Sequence, residues 1–325
     1  MRKGIVLLIV CLSVALVAII RFAPSSPNTG HAPWRDGFAS RTATILFVGD
    51  MMFDRTILAM SMEEGGDYLF SCIADYVRGF DLAVGNLEGP ITGYPSMSWM
   101  TVPGDLGNTT FTFPTSTASL LARSGIDAVS LANNHIFDFG RQGVESTREH
   151  LPAAGVRYFG DPLDVRRKSA LFDVNGLTVA IAGFNEFLGV DSVSTTVSEI
   201  GALRADADFV IVFSHWGEEY VPVVDRQRAA AHAFIEAGAD AVIGAHPHVI
   251  QESEVYKGKQ IYYSLGNFIF DQYWNEGVRK GLVLEAHLKD RSVSFVPRMV
   301  SSSRTSGPCL LPTGDNQGEI FDKGL

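Results

Sequence analysis

Four stretches of this chain share one pattern, and few folds can accommodate it. Arg78-Gly79-Phe80-Asp81 leads into Leu82-Ala83-Val84-Gly85 and then Asn86-Leu87-Glu88. Ser124-Gly125-Ile126-Asp127 leads into Ala128-Val129-Ser130-Leu131-Ala132 and then Asn133-Asn134-His135-Ile136-Phe137-Asp138. Asp206-Ala207-Asp208 precedes Phe209-Val210-Ile211-Val212-Phe213 and Ser214-His215-Trp216. Ala237-Gly238-Ala239-Asp240 precedes Ala241-Val242-Ile243-Gly244-Ala245 and His246-Pro247-His248. Each unit holds a stop signal, an Asp, an apolar run with the length of a buried strand, and a polar cluster. The spacing between units is irregular, which excludes a solenoid. Helical stretches precede several units, as at Thr115 to Arg123, stopped by Gly125, and Asp225 to Ala237, stopped by Gly238. Helix alternating with buried strand predicts an α/β core whose sheets are covered on both faces. In such cores, polar groups at the C-terminal ends of strands converge on one crevice. The four clusters therefore belong together.

The folded part is expected over residues 42–300, beginning with the apolar strand Ala43 to Val48. Past Gln260 the stretches Ile261–Leu265, Leu282–Leu288 and Val293–Val300 read as further strands, with Lys289-Asp290-Arg291-Ser292 as a hairpin turn. Residues 301–325 are rich in Gly, Pro and Ser and read as a loosely packed tail. Residues 1–22 read as a transmembrane anchor or signal sequence. Gly4 to Ile20 is unbroken and apolar, and at about 1.5 Å per residue it just reaches across a hydrocarbon core. No convincing cleavage site follows it, so a single-pass cell-membrane anchor is the expectation. Arg2 and Lys3 then keep the N-terminus inside and put the domain outside the cytoplasm. Residues 23–41 read as a linker. Cys72 and Cys309 either form one disulfide or remain two buried thiols, and their number excludes a cysteine-based zinc site.

A net charge of -10 and a pI near 5.3 argue against nucleic acid as a partner. An anionic substrate would have to be drawn in locally, by a bound cation or a few Arg and Lys side chains. Gly49 allows close approach of backbone to a ligand, while Asp50 either binds a cation or caps the next helix. Asp54 reads as a partner for Arg55 or a helix start. Asn86 and Glu88 share a face if extended. Asp138 is placed to hold the imidazole of His135 in one tautomer. His246-Pro247-His248 can present two rings to one centre, and imidazole suits zinc, iron and similar ions. Asn267, in Ser264-Leu265-Gly266-Asn267-Phe268, orients a ligand or stabilises its turn. His31, His150, His232 and His287 read as bystanders. No nucleophile elbow, phosphate-binding glycine loop or dinucleotide fingerprint is present, which removes serine hydrolases, nucleoside triphosphatases and dehydrogenases.

Taken in order, Gly49-Asp50…Arg55, Asn86-Leu87-Glu88-Gly89, Asn133-Asn134-His135…Asp138, His215-Trp216-Gly217, Gly244-Ala245-His246-Pro247-His248 and Ser264-Leu265-Gly266-Asn267-Phe268 resemble the CapA family of poly-γ-glutamate capsule synthesis. That family's domain is similar to the calcineurin-like metallophosphoesterases, and the likeness spans Thr42 to Pro297. It implies two central mixed β-sheets flanked by helices, with the site along one edge. It also implies a divalent metal (manganese, zinc or iron), as one or two ions, held by Asp50, Glu88, Asn134, His215, His246 and His248. Catalytic roles fall to His135, Asp138 and Asp50, and substrate contacts to Arg55, Asn86, Trp216 and Asn267. The phosphoesterase pattern has a histidine where this chain has Met52, and an Asp where it has Asn86, with Glu88 offset by two. The expected partners are an anionic polymer or phosphoester, the membrane, and membrane-bound polymer synthase subunits. The expected role is to assist synthesis, export or attachment of such a polymer. A metal-dependent phosphoesterase or related hydrolase, and a non-catalytic polymer-binding subunit, are the alternatives.

Overall fold

The computed structural model describes residues 40–102, 104–189 and 192–312. The expected anchor and nearly all of the expected linker lie outside them. Among the described residues, no helix is long and apolar enough to cross a membrane.

Two mixed sheets flanked by helices form the fold, as expected. The first opens with parallel strands β1 (Thr42–Met51), β2 (Leu82–Leu87), β3 (Ala128–Ser130) and β4 (Arg157–Phe159). The second is built from β5 (Ser169–Val174), β6 (Leu177–Asn185), β7 (Phe209–His215), β8 (Ala241–Ala245), β9 (Ser253–Tyr256) and β10 (Lys259–Tyr262). Its order is β5-β6-β7-β8-β10-β9. The chain then returns to the first sheet as β11 (Asn267–Ile269), β12 (Lys280–Lys289), β13 (Ser292–Ser303) and β14 (Ser306–Leu310). The first sheet runs β14-β13-β12-β1-β2-β3-β4, with β11 beside the end of β1.

Strand periodicity explains the layers. Ile45 and Phe47 of β1 point into a core shared with Ile211 and Phe213 of β7, between the sheets. Leu46 and Val48 point the other way. They pack with Ile57 of α1 (Arg55–Glu64), Val77 of α2 (Ala74–Val77), Leu121 of α3 (Ser116–Ser124) and Val144 of α4 (Gly140–Ala153). On the outer face of the second sheet, Val210, Val212 and Val242 meet Ile200 of α5 (Val193–Leu203) and Phe234 of α6 (Asp225–Glu236). Gly125, at φ 91°, closes α3 in the left-handed conformation its position predicts.

The Asp in each recurring unit has one job. Asp81 accepts from the backbone N–H of Thr44, Asp127 from Ala83, Asp208 from Thr178 and Asp240 from Val210, at 2.8–2.9 Å. Its own N–H returns a bond to the same residue's carbonyl each time. The carboxylate thus continues the ladder one step beyond the strand and ties the start of each strand to its neighbour.

Gly49 serves the scaffold rather than a ligand. A Cβ there would lie 1.9 Å from the Gly266 carbonyl oxygen, and one at Gly244 would lie 1.9 Å from that of Tyr263. These approaches let the segment between β10 and β11 lie against both sheets, with Leu265 N–H bonded to Gly244 and Leu282 N–H to Leu265.

Ser301 to Leu310 does not pack loosely. Pairing with β12 carries β13 to Ser301, and pairing with β14 carries it to Ser303; residues 313–325 of the expected tail lie outside the described residues. Cys309 on β14 is bonded to Cys72, which resolves the two readings of these cysteines. A cross-link spanning 237 residues removes much of the unfolded chain's freedom. Cys309→Ser is expected to lower the stability of the oxidised protein by about 2–5 kcal/mol, read as a shift in urea midpoint. An unchanged midpoint would show that this bond is not formed in the protein under test.

Candidate metal centre

The parallel strands deliver their C-terminal ends to one edge. Register places Asp50 of β1 beside Asn86 of β2 and Asn267 of β11. His215 ends β7, and His246 and His248 follow β8. His246 (φ 97°) and His248 (φ 58°), on either side of Pro247, both adopt the left-handed region, which costs a non-glycine residue about 1–3 kcal/mol. Such strain persists where surrounding contacts over-determine it.

The amide of Asn86 sits at the centre. Asn133 Nδ2 donates to Asn86 Oδ1 (3.1 Å) and to the Leu87 carbonyl (2.8 Å), which fixes which end of the Asn86 amide is oxygen. Asn86 Nδ2 then donates to Asp50 Oδ1 at 2.8 Å and to His215 Nδ1 at 3.2 Å. With Nδ1 accepting, the proton of His215 is on Nε2, which donates to Asn134 Oδ1 at 2.8 Å. Both nitrogens of His215 are thereby used. Asp50 is equally occupied, since its Oδ2 accepts the His246 N–H at 3.1 Å and lies 3.4 Å from His248 Nδ1.

Different logic holds for His248. Asn267 donates through Nδ2 to Gln272 and to the Val278 carbonyl, so its Oδ1 must accept from His248 Nδ1, 2.9 Å away. The lone pair of His248 is then on Nε2, which faces Glu88 Oε1 at 3.5 Å. Glu88 Oε1 is buried with no hydrogen-bond partner, and so is Nδ1 of His246. Glu88, His246 and His248 can bring one donor atom each within 4.8 Å of one another, as can Asp50, Glu88 and His215. The first trio presents electron pairs that nothing satisfies. In the second, hydrogen bonds already hold Asp50 and His215.

Electrostatics follow from this wiring. Burial raises the pKa of Asp50, but hydrogen bonds from His248, Asn86 and the His246 N–H outweigh it and hold the carboxyl below its usual value. Burial and the negative charge of Asp50 push Glu88 well above the usual carboxylate value. Burial, then the neighbouring His248, lowers His246 to about 3, and burial with the neighbouring histidines holds His215 well below its usual value. His215 and His246 are therefore neutral at pH 7.

Beside this cluster, His135 Nδ1 lies 2.9 Å from Asp138 Oδ2, and the Asp138 carboxylate also accepts the Phe111 N–H at 2.7 Å. Arg55 pairs with Asp271 at 2.5 Å and stacks over Phe111 and Phe270. Its partner is not Asp54. That residue is buried and caps α1, accepting from the Arg55 N–H, Ser96 and Thr112. Met52 is buried in the core, its sulfur 3.0 Å from the Asp54 nitrogen.

Of the substrate contacts expected from sequence, Trp216 lies elsewhere. It is 1% exposed, its indole N–H bonded to the Tyr263 carbonyl and its ring stacked with Phe234. An indole satisfied in this way is a core residue. Asn267 is also buried and acts by orienting His248. Phe187, unremarked in the sequence, places its ring 4.4 Å from that of His246. It follows β6, whose end at Asn185 pairs with His215. The apolar run Leu177 to Phe184 before Asn185-Glu186 repeats the strand-then-polar pattern and was the signal available.

Residues 44–272 match the family described as bacterial capsule synthesis protein PGA_cap. The chain is 31% identical over 300 residues to the PGA biosynthesis protein CapA of Bacillus subtilis (strain 168), spanning 86% of this chain and 77% of that protein. It is also 31% identical over 299 residues to the capsule biosynthesis protein CapA of Bacillus anthracis, spanning 86% and 72%. A crystal structure of a hypothetical protein from Thermus thermophilus shares the fold, with a TM-score of 0.54 at 18% identity over 80% of this chain and 100% of that one.

Proposed function

The chain belongs to the bacterial capsule synthesis protein family, and on that premise we propose that it acts, with one divalent cation, on an anionic capsule polymer of the poly-γ-glutamate kind. Its place is the synthesis, export or attachment of that polymer, anchored to the cell membrane with the domain outside the cytoplasm. The apolar stretch Gly4 to Ile20 supports the anchor, and the Cys72–Cys309 bond suits an oxidising compartment. Membrane-bound synthase subunits are its partners.

The observation that carries the cation is the unsatisfied trio. A buried carboxylate oxygen and two imidazoles aimed at one point form a donor set suited to zinc, manganese or iron. Glu88, His246 and His248 would hold it. Asp50 and Asn267 orient His248, while Asn86, Asn134 and His215 brace the wall opposite. A bound cation would supply Lewis-acid polarisation of a carbonyl or phosphoryl oxygen. His135, held through Nδ1 by Asp138, keeps Nε2 for exchanging a proton with the reacting group. Phe111, Phe187 and Phe270 shield the polar cluster from water.

Complementation tests this reading. In a polyglutamate-producing strain lacking its own relative of this chain, the native chain restores secreted polymer, and His135→Ala or His246→Ala restores less than about a tenth. Full restoration by both variants would replace this reading with a polymer-binding subunit that performs no chemistry.

A further inference from the structure

Along β4, the edge strand of the first sheet, the structure carries a basic groove of about 780 Å³ that the metal centre does not use. Arg157 opens β4 opposite Ala128, the first residue of β3, whereas Asn134 and His135 follow the last. Arg148, Arg157, Arg166 and Arg167 line the groove, and Asp164 is the one acidic residue lining it. Two of the four are neutralised, Arg148 by buried Asp161 at 3.3 Å and Arg166 by Asp164 at 2.9 Å. Arg157 and Arg167 form no ion pair with a carboxylate among the described residues. Arg157 donates to the Leu171 carbonyl (2.7 Å) and lies 4.1 Å over Phe172, and Arg167 lies over Tyr158. Burial and the charge of Arg167 both lower the pKa of Arg157. Two like charges kept together on an exposed wall, in a chain of net charge -10, create a local field that favours a bound anion.

We propose that this groove binds an extended polycarboxylate chain, with Arg157 and Arg167 as its two anion contacts. Planar guanidinium groups held over aromatic rings present their remaining N–H donors outward for carboxylate recognition. Between the arginines, Leu171, Val156 and Pro152 offer apolar wall to the methylenes that separate carboxylates along such a polymer. The choice of polycarboxylate over another polyanion rests on the polymer reading above. The existence of an anion site does not. A second contact away from the metal centre lets one chain remain held while its reacting end moves.

The test is fluorescence anisotropy of a short labelled γ-glutamate oligomer titrated with the full-length chain in detergent, at low and high salt. Arg157→Glu/Arg167→Glu is expected to weaken binding on the order of a hundredfold, two charge-assisted contacts at about tenfold each. Arg157→Gln/Arg167→Gln serves if the double glutamate variant does not fold. Native binding should also weaken as salt rises. Lys289→Gln, which removes an exposed charge on β12 that lines neither the groove nor the metal centre, should bind as the native protein does. Undiminished binding by either double variant overturns the proposal. So does binding of polyphosphate where the glutamate oligomer is ignored, or an equal loss of oligomer binding in Lys289→Gln.

Discussion

Glu88→Gln is expected to abolish cation binding while making the cation-free protein more stable. The carboxylate oxygen of Glu88 is the anionic member of the trio, and losing a ligand outright should cost on the order of a hundredfold or more in affinity. At a cation concentration a hundred times its dissociation constant, the native protein gains about 2.7 kcal/mol, a rise in Tm of roughly 5–10 °C for a domain of this size. The variant should show none of that rise. Without cation the sign reverses, because Gln places an N–H donor where Glu88 Oε1 has no partner and where His248 Nε2 offers a lone pair. About 1–3 kcal/mol is expected from relieving a buried unsatisfied group. This gain depends on pH. The pKa of Glu88 is raised on folding, so its protonated form contributes stability that is full below the unfolded value near 4.5 and is lost as pH rises through the folded value. Gln does not titrate, so its advantage should widen as pH climbs above 4.5. Thermal melts across pH, with and without zinc or manganese, read all of this. A variant still stabilised by cation would remove Glu88 from the site.

Asn86→Asp is expected to raise the cation count from one to two. In the native protein the Asn86 amide donates to both Asp50 and His215, joining them without a charge. A carboxylate at that position cannot donate. It would face Asp50 and Glu88 as a third buried acid and draw the proton of His215 to Nδ1. His215 Nε2 would then exchange its donor role toward Asn134 for a free lone pair. Asp50, the new carboxylate, His215 and Asn134 would together make a second donor set. Without cation, the added buried charge should lower stability by about 3–5 kcal/mol, and cation should restore it. Elemental analysis of the dialysed protein gives the count. A count fixed at one, with no loss of stability in the cation-free protein, would mean that the amide does not set the number of ions.

The units from which this site is assembled were legible because buried parallel strands write continuous apolar runs and their polar ends stand out. Asp50, Glu88, Asn134, His135, His215, His246 and His248 could be gathered on one edge before any geometry was known. What those residues do to one another could not be read. Whether His215 offers a lone pair depends on the Asn86 amide, whose orientation depends on Asn133 47 residues away in the chain. Trp216 misled because an indole next to a site histidine reads the same whether its N–H meets a ligand or a main-chain carbonyl. The Cys72–Cys309 bond and the pairing of β14 join distant parts of the chain through shape, which composition does not record.

The four aspartates at the strand starts give the centre a gauge. Each sets the height of one strand against the next from the edge opposite the polar cluster. A slip of one residue would move a ligand such as His215 by about 3.3 Å and turn it to the other face of its sheet. Calibration of the centre is therefore held at a distance from it. A substitution at Asp208 or Asp240 that leaves the fold standing could detune cation affinity through strand height alone, without touching any group that binds.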